Sequence, residues 1–296
     1  MIEVISPGPQ TLVQDLGRPG WAALGVGSSG AFDRASLRLA NRLVGNRESA
    51  TCLETLGGGL EIHFRVACVV AVTGAEGSVM VRGGVGVSQP GQPHRPRGES
   101  RNSPLYVNEG EVLTIGPPTA GLRSYVAVRR GIAVPHVLGS ASRDTLGGIG
   151  PEPVLAGDLL DLGDDGTHDP LVDHVAVRAR SGPLRVMLGP REDWFTADAI
   201  SALTTTHWSV ATQIDRVGIR LLGVPLSRVE PSRELPSEPV VSGAIQVPPD
   251  GSPVILGPDH PTTGGYPVIA VVIDADLDRL AQLRPGDVID MRAVEV

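Results

Sequence analysis

Short runs of apolar and β-branched residues recur along the chain, and each is bounded by glycine or proline. This pattern is typical of a mostly antiparallel β protein, because β-branched side chains suit a pleated surface while glycine and proline suit turns. The predicted strands include Val66–Thr73, Val79–Arg82, Val112–Ile115, Tyr125–Val128, Leu184–Leu188, Ile219–Leu222, Val254–Leu256 and Val268–Ile273. A turn, an acidic residue and a strand follow one another after Gly110, Gly157 and Gly286, which favours related β units in the two halves.

Only a few segments have helical spacing. Asp33 is placed to cap a helix over Arg34–Val44, whose apolar residues recur on one face. A second helix is predicted over Glu192–Leu203. A third is predicted from about Asp274 to Leu283, where a Pro-Gly pair ends it. The predicted fold class is therefore mostly β with a few helices.

The length of the chain, 296 residues, suits one large domain or two modest ones. The stretch Gly163–Asp173 is polar and rich in turn residues, which makes it the predicted linker. We therefore expect a first domain over residues 1–165 and a second over residues 175–296.

Composition excludes several kinds of chemistry. All 25 basic residues are arginine, so the chain offers no lysine for a P-loop, a Schiff base or the attachment of biotin. The net charge of −8 and the lack of a basic run argue against nucleic-acid binding. Two cysteines are too few for a disulfide framework or a zinc site, and the apolar runs are too short to span a bilayer. We expect a cytoplasmic protein with no metal of its own and no membrane or nucleic-acid partner.

Two polar clusters lie in the first half of the chain. Asp15 and Arg18, within QDLGR, are placed to orient or clamp a carboxylate, a phosphate or a planar urea-like group. The alternative is a structural turn with a local ion pair between these two residues. Arg123 and Ser142 belong to a second cluster, which either holds an anion or a polarised carbonyl or forms an ordinary loop.

Two further clusters lie in the second half. Gln213 and Arg216 either face a cleft as a pair or belong to a polar loop before the next strand. The densest cluster contains Glu238, Gln246, Asp259, Thr262, Thr263, Gly264 and Tyr266. Hydroxyl groups beside glycine amides are typical of a loop that binds a polar ligand on a rigid β scaffold.

These clusters, in this order, resemble one family across nearly the whole chain. The stretches that carry the resemblance are TLVQDLGRPG (11–20), SGAFDRASLRLANRLVGN (29–46), LETLGGGLEIHF (53–64), RSYVAVRRGIAVPHVLGSAS (123–142), QIDRVGIRL (213–221), SEPVVSGAIQVPPDGSPVIL (237–256) and DHPTTGGYPVIAVV (259–272). The chain is similar to the biotin-dependent carboxyltransferase family, whose members include the C subunit of 5-oxoprolinase, allophanate hydrolase subunit 2 and Kip-inhibitor antagonists. This resemblance implies two cyclophilin-like β-barrel subdomains.

The resemblance also implies an enzyme that is active only as a complex. In the 5-oxoprolinase version, the protein acts with a smaller sister subunit, similar to the B subunit of 5-oxoprolinase or to allophanate hydrolase subunit 1, and with a third, metal-type subunit. Together they hydrolyse ATP and convert 5-oxo-L-proline, a small cyclic amide, to L-glutamate. We therefore expect a hydrolase subunit with ATP bound at the complex.

Residue types then indicate roles under this hypothesis. The residues expected to contact anions are Arg18, Arg123 and Arg216. The substrate or a phosphate would lie against Thr262, Thr263 and Gly264. The expected catalytic residues, which orient the substrate or take a proton, are Asp15, Glu238 and Asp259. The remaining expected substrate-binding residues are Ser142, Gln213, Gln246 and Tyr266.

Two alternatives stay open. A carboxyltransferase subunit for a urea-like acceptor would use the same groups, with biotin carried on a lysine of a separate chain. A non-enzymatic antagonist would instead bind a kinase-inhibitor protein, which is itself of the sister-subunit type. Only turnover separates these alternatives from the oxoprolinase hypothesis.

Overall fold

The strands of the protein form a half-barrel and a nearly closed barrel in a computed structural model that describes residues 1–83, 96–171, 174–177 and 181–295. Three α-helices and two short 3₁₀ helices accompany the strands in the described residues. The structure therefore confirms the predicted fold class of a mostly β protein with two cyclophilin-like β-barrel subdomains. The last two residues of the predicted linker, 172 and 173, lie outside the described residues.

The chain divides into two compact units. The first unit consists of Met1–Arg18, Asp33–Arg143 and Gly148–Arg178, and the second of Pro19–Phe32, Asp144–Gly147 and Ala179–Val296. Two short segments from the first half of the sequence thus pack within the second unit. The consecutive boundaries at 1–165 and 175–296 stay a prediction.

The first unit is built on one large antiparallel sheet. Its elements are β1 (Ile2–Pro7), β2 (Gln10–Gln14), α1 (Arg34–Leu43), β3 (Cys52–Leu56), β4 (Leu60–Phe64), β5 (Cys68–Arg82), β6 (Arg97–Glu99), β7 (Pro104–Val107), β8 (Val112–Val128), β9 (Ile132–Ala133) and β10 (Leu159–Leu162). The strand order is β2-β3-β8-β4-β1-β10-β9, and β5 pairs with β6, β7 and β8. Burial alternates along β4, where Leu60, Ile62 and Phe64 face the core between half-buried polar residues.

Helix α1 confirms the capping predicted at Asp33. The Asp33 carboxylate accepts a hydrogen bond from the backbone N–H of Ser36 at 2.9 Å, and the buried face of the helix carries Leu37, Ala40 and Leu43. Gly45 follows the helix with φ of +74°, and a Cβ there would lie 2.2 Å from the carbonyl oxygen of His168. Only glycine fits this position.

The second unit contains a second, eight-stranded sheet. Its elements are β11 (Leu184–Leu188), α2 (Ala197–Thr205), β12 (Trp208–Ile214), β13 (Gly218–Leu222), β14 (Glu238–Pro239), β15 (Ala244–Gln246), β16 (Val254–Leu256), β17 (Thr263–Gly264), β18 (Val268–Val272), α3 (Asp274–Leu280), β19 (Val288–Ile289) and β20 (Met291–Ala293), with 3₁₀ helices at Ala22–Leu24 and Glu192–Trp194. The strand order is β19-β12-β13-β16-β15-β18-β11-β20, and β14 pairs with β17 in a separate ribbon. All pairs are antiparallel except β11 with β20.

Helices α2 and α3 are shorter than the sequence predicts. The prediction placed the second helix at Glu192, but its α-helical part begins at Ala197 because Thr196 caps it by accepting a hydrogen bond from Ala199 N–H. Phe195, before the cap, is extended and buried. Helix α3 ends at Leu280 rather than Leu283. None of the helices in the described part of the chain combines the length and apolar character needed to cross a membrane.

Candidate functional site

Asp15 is the centre of a polar cluster in the first unit. It follows β2 and is 6% exposed. Its Oδ1 accepts hydrogen bonds from the hydroxyls of Ser140 and Ser142, both at 2.6 Å, and from Gly17 N–H at 2.7 Å. Its Oδ2 accepts one from Ala141 N–H at 2.7 Å. The carboxylate therefore fixes the loop that contains Ser140 and Ser142.

Arg18 and Gln14 hold the same loop by its backbone. The Arg18 guanidinium, 2% exposed, donates to the carbonyl oxygens of Val137 and Ser142. Gln14 donates from Nε2 to the Arg143 carbonyl at 2.9 Å. The structure thus brings Ser142 together with Asp15 and Arg18, whereas the sequence analysis grouped Ser142 with Arg123. The alternative local ion pair between Asp15 and Arg18 does not form among the described residues.

Arg123 lies in a second buried cluster of the first unit. Its Nε is 3.6 Å from Oε1 of Glu54, and both side chains are 3% exposed. The hydroxyl of Tyr125 donates to Oε2 of Glu54 at 2.8 Å and accepts from Asp33 N–H at 2.7 Å. Burial, and then the charge of Glu54, raise the pKa of Tyr125 well above its usual value, so the phenol keeps its proton.

Sequence reasoning did not identify Glu54 as part of a site. Glu54 lies in the middle of β3, and its neighbours Leu53 and Thr55 are fully buried. A charged residue inside an otherwise buried strand requires a partner, because an unpaired buried charge is costly. That signal is present in LETLGGGLEIHF, and the structure supplies Tyr125 and Arg123 as the partners.

Asp259 and Arg216 form a buried ion pair in the second unit. Arg216 donates from Nε to Oδ2 at 2.8 Å and from Nη2 to Oδ1 at 2.9 Å. Its Nη2 also donates to the carbonyl oxygen of Gly30 at 2.6 Å. The side chains are 2% and 0% exposed. This two-pronged contact is the geometry in which a guanidinium matches a carboxylate best.

Three more hydrogen bonds complete the Asp259 carboxylate. Ser29 donates from its hydroxyl to Oδ1 at 2.6 Å, while Thr145 donates from its backbone N–H and its hydroxyl to Oδ2 at 2.9 and 2.8 Å. Burial acts to raise the pKa of Asp259, but the charge of Arg216 and these hydrogen bonds outweigh it, and the pKa lies below its usual value. Sequence reasoning identified neither Ser29 nor Thr145.

A two-stranded ribbon places Glu238 beside the threonine-glycine loop. Glu238 pairs with Gly264 and Pro239 pairs with Thr263, in antiparallel register. Gln246 donates from Nε2 to the carbonyl oxygen of Tyr266 at 3.1 Å. A Cβ on Gly264 would lie 2.4 Å from Nε2 of Gln246, so this close approach depends on glycine.

The loop presents its hydroxyl groups to solvent. Thr262 is half-buried, Thr263 is exposed, and Tyr266 is 46% exposed. Neither threonine hydroxyl makes a hydrogen bond to another residue in the described part of the chain. The loop can therefore donate hydrogen bonds to a ligand without breaking contacts of its own.

Glu238 is the half-exposed carboxylate of this region. Arg191 donates from Nε to Oε1 at 2.9 Å and from Nη2 to Oε2 at 2.5 Å. The hydrogen bond from Arg191 lowers the pKa of Glu238, so the group is ionised at neutral pH and accepts hydrogen bonds. Unlike Asp259, it retains access to solvent.

Gln213 makes no hydrogen bond to Arg216 in the described part of the chain. It is exposed on β12, whereas Arg216 is buried against Asp259. The two side chains therefore do not act as the pair that the sequence hypothesis proposed. Among the described residues, no three histidine, cysteine or acidic side chains come together as a metal ion would require.

Known proteins identify the family of the chain. Residues 24–293 match the model of the carboxyltransferase domain, subdomains A and B. The chain belongs to this carboxyltransferase family. This carboxyltransferase-domain protein is 35% identical over 289 residues to the C subunit of 5-oxoprolinase from Escherichia coli, with 97% of this chain and 89% of that protein covered. It is 31% identical over 305 residues to the C subunit of 5-oxoprolinase from Haemophilus influenzae, with 100% and 92% covered.

The crystal structure of the K. lactis urea amidolyase contains the same fold. It superposes on this carboxyltransferase-domain protein with a TM-score of 0.89 and 30% identity, over 99% of this chain and 19% of the amidolyase chain. The protein therefore spans about a fifth of that much longer chain. The family resemblance carried by the sequence stretches is confirmed.

Proposed function

We propose that this protein is a subunit of an ATP-dependent 5-oxoprolinase complex that converts 5-oxo-L-proline to L-glutamate. The observation that carries the proposal is the match along nearly the full length of two proteins named as the C subunit of 5-oxoprolinase, 89% and 92% of which are covered. Because these relatives are themselves named as subunits, we expect this chain to act within an enzyme complex. Its partners in the proposal are the smaller sister subunit and a third, metal-type subunit.

The threonine-glycine loop supports this function chemically. Opening a cyclic amide with ATP requires groups that hold phosphate oxygens and stabilise the oxyanion that develops on the carbonyl. ATP supplies the phosphoryl group when bound, and the chain contributes donors. In the proposal, the hydroxyls of Thr262 and Thr263 and the backbone at Gly264 contact the substrate or a phosphate, with Tyr266 at the edge.

The three candidate carboxylates take different roles in the proposal. Glu238 is the one that contacts the substrate, because it is ionised, half-exposed and adjacent to Gly264. Asp15 and Asp259 are positioning residues, because both are buried and the oxygens of each are already engaged by several groups of the protein. Asp259 begins the segment that leads to Thr262, so its contacts fix the start of the loop.

A reconstituted complex tests the proposal. The chain is co-expressed with its sister subunit, the metal-type subunit is added, and phosphate release is recorded with and without 5-oxoproline. We expect release that depends on 5-oxoproline and is accompanied by glutamate, and no activity from the isolated chain. Phosphate release that is the same with and without 5-oxoproline would contradict the proposal. So would the absence of phosphate release from an assembled complex.

Thr263→Ala tests the loop within the same assay. We expect turnover to fall by at least about tenfold, because a donor to a developing charge is lost, while the complex still assembles. Thr205→Ala is the matched control, since Thr205 is exposed on α2 and bonds only to Ser201 within its own helix. Equal activity of Thr263→Ala and Thr205→Ala would remove Thr263 from the site.

Carboxyl transfer to a urea-like acceptor is the second candidate function. The superposition on the K. lactis urea amidolyase, with its TM-score of 0.89, favours it. Biotin would have to arrive on a separate carrier, because this chain has no lysine. An assay with urea, bicarbonate, ATP and a biotinylated carrier distinguishes the two: product here, and none with 5-oxoproline, would replace the first proposal.

A further inference from the structure

Arg101 differs from the buried arginines of the two sites. It lies in the turn between β6 and β7, half-buried, and its Nη2 donates to the carbonyl oxygen of Thr73 at 2.7 Å and to the hydroxyl of Ser124 at 3.1 Å. Arg216 has Asp259 as its counter-ion and Arg123 lies beside Glu54, whereas no carboxylate of the described residues forms an ion pair with Arg101.

The guanidinium of Arg101 is a partly desolvated cation. Burial lowers its pKa to about 10, against the opposing charge of Glu76, which is exposed on β5. At neutral pH the group remains charged. A charge removed from water without a counter-ion is unfavourable, and an anion beside it relieves that cost.

The donors available at Arg101 show what such an anion would contact. The two N–H groups of Nη2 are used on Thr73 and Ser124, and the three N–H groups on Nε and Nη1 make no hydrogen bond to another described residue. The hydroxyl oxygen of Ser124 accepts from Arg101, so its own proton is available to donate. Ser124 is 5% exposed, so this hydroxyl is shielded from competing water.

A second hydroxyl lies beside Ser124 in the sheet. Thr55 on β3 is directly opposite Ser124 on β8, so the two side chains point to the same face and their Cβ atoms are about 5 Å apart. Thr55 is fully buried, and its hydroxyl oxygen makes no hydrogen bond in the described structure. Buried hydroxyls without a partner are rare, and this one adds a polar group to the same place.

We infer that Arg101 and Ser124, with Thr55 behind them, form an oxyanion-binding site in the first unit, for a carboxylate or phosphate oxygen. The site contains none of the residues assigned to the proposed function. It depends on geometry within the first unit alone and stands whether or not the protein is an oxoprolinase subunit.

Titration of the full chain with small anions tests this inference. Inorganic phosphate and acetate are added separately at constant ionic strength, and binding is followed by calorimetry or by amide chemical shifts around residues 101 and 124. We expect saturable binding of at least one of them. The two arms distinguish phosphate from carboxylate. The binding of neither by the folded protein would overturn the inference.

Two variants locate the binding. Arg101→Gln is expected to weaken it by at least about tenfold, because a charge-assisted hydrogen bond is lost. Arg129→Gln is the matched control and should bind normally, since Arg129 donates to the carbonyl oxygens of Val44 and His168 in the same unit. Equal binding by Arg101→Gln and wild type would overturn the site.

Ser124→Ala keeps the test decisive if Arg101→Gln does not fold. It removes only a hydroxyl, and we expect anion binding to be at least about threefold weaker, because one hydrogen bond from an uncharged donor is lost. Unchanged affinity in a folded Ser124→Ala protein would contradict the inferred role of this hydroxyl and, without a folded Arg101 variant, would overturn the site.

Discussion

Asp15 in the first unit and Asp259 in the second are both carboxylates stabilised in the protein interior, but by different partners. Both are buried carboxylates that lie in polar sequence motifs, and both accept several short hydrogen bonds. Asp15 is held by hydroxyls and backbone N–H groups, with no ion pair in the described structure, whereas Asp259 has a full counter-ion in Arg216. A buried acidic residue is therefore not by itself a sign of catalysis, because partial charges or a cation can make it structural.

The largest expected effect comes from removing the counter-ion of Asp259. Arg216→Met leaves a buried carboxylate without its cation, and we expect the free energy of unfolding to fall by about 3–5 kcal/mol. Urea denaturation followed by circular dichroism measures this loss. Arg220→Met is the control, since Arg220 pairs with Asp250 near the surface and should cost no more than about 1 kcal/mol.

A double variant distinguishes the contribution of the ion pair to stability from that of the packing around it. Arg216→Met combined with Asp259→Leu removes both charges, and we expect it to recover part of the stability lost by Arg216→Met alone. If the double variant were less stable than the single one, the packing and the donors of Ser29 and Thr145 left without an acceptor would outweigh the uncompensated charge. The contrast with Asp15 would then disappear.

Asp15→Asn is expected to have a smaller effect. The amide keeps one acceptor oxygen but presents an N–H₂ group to donors that bonded the other oxygen, so we expect a loss of about 2 kcal/mol. The same denaturation experiment measures it. A loss as large as that of Arg216→Met would show that neutral donors and a cation are equivalent partners here.

The pH dependence of stability tests the ion pair of Asp259 further. The folded-state pKa of Asp259 is lowered, so its stabilisation is present above the unfolded pKa of about 4 and is lost as the pH falls through the lower folded value. We expect the unfolding free energy of the wild type to decrease more steeply in acid than that of Asp259→Asn. Parallel pH curves for the two proteins would show that the ion pair does not contribute.

The smallest effect on stability is expected at Glu238. Its ion pair with Arg191 is exposed enough for water to screen it, so Glu238→Gln should leave the unfolding midpoint unchanged. In the reconstituted complex, the same variant should lower turnover by at least about tenfold if Glu238 contacts the substrate. Loss of stability without loss of turnover would reverse the roles proposed for Glu238 and Asp259.

Local patterns predicted what local interactions decide. Asp33 caps α1 through Ser36, three residues away. The strand Leu184–Leu188 has the same bounds as the apolar run that predicted it. The predicted start of α2 at Glu192 was wrong, because Glu192–Trp194 form a separate 3₁₀ helix, Phe195 is extended and buried, and Thr196 caps the α-helix. Such a break depends on the packing of Phe195, which a single sequence does not display.

The sequence did not predict which side chains that are distant along the chain contact each other. The sequence indicates that Asp259 and Arg216 matter, but not that they pair with each other, nor that Ser29 and Thr145 complete the carboxylate. Ser29 and Thr145 are 230 and 114 residues from Asp259. Periodicity reports the face on which a side chain lies, and it carries no information on which distant segment meets that face.

The separation of 230 positions between Ser29 and Asp259 also constrains the order in which the second unit folds during synthesis. At about 5–20 residues per second, the ribosome delivers Asp259 some 10–50 seconds after Ser29. Residues 19–32 belong to the second unit, so they leave the ribosome long before most of the chain with which they pack. Until then they remain without their partners, so the second unit can be completed only late in synthesis.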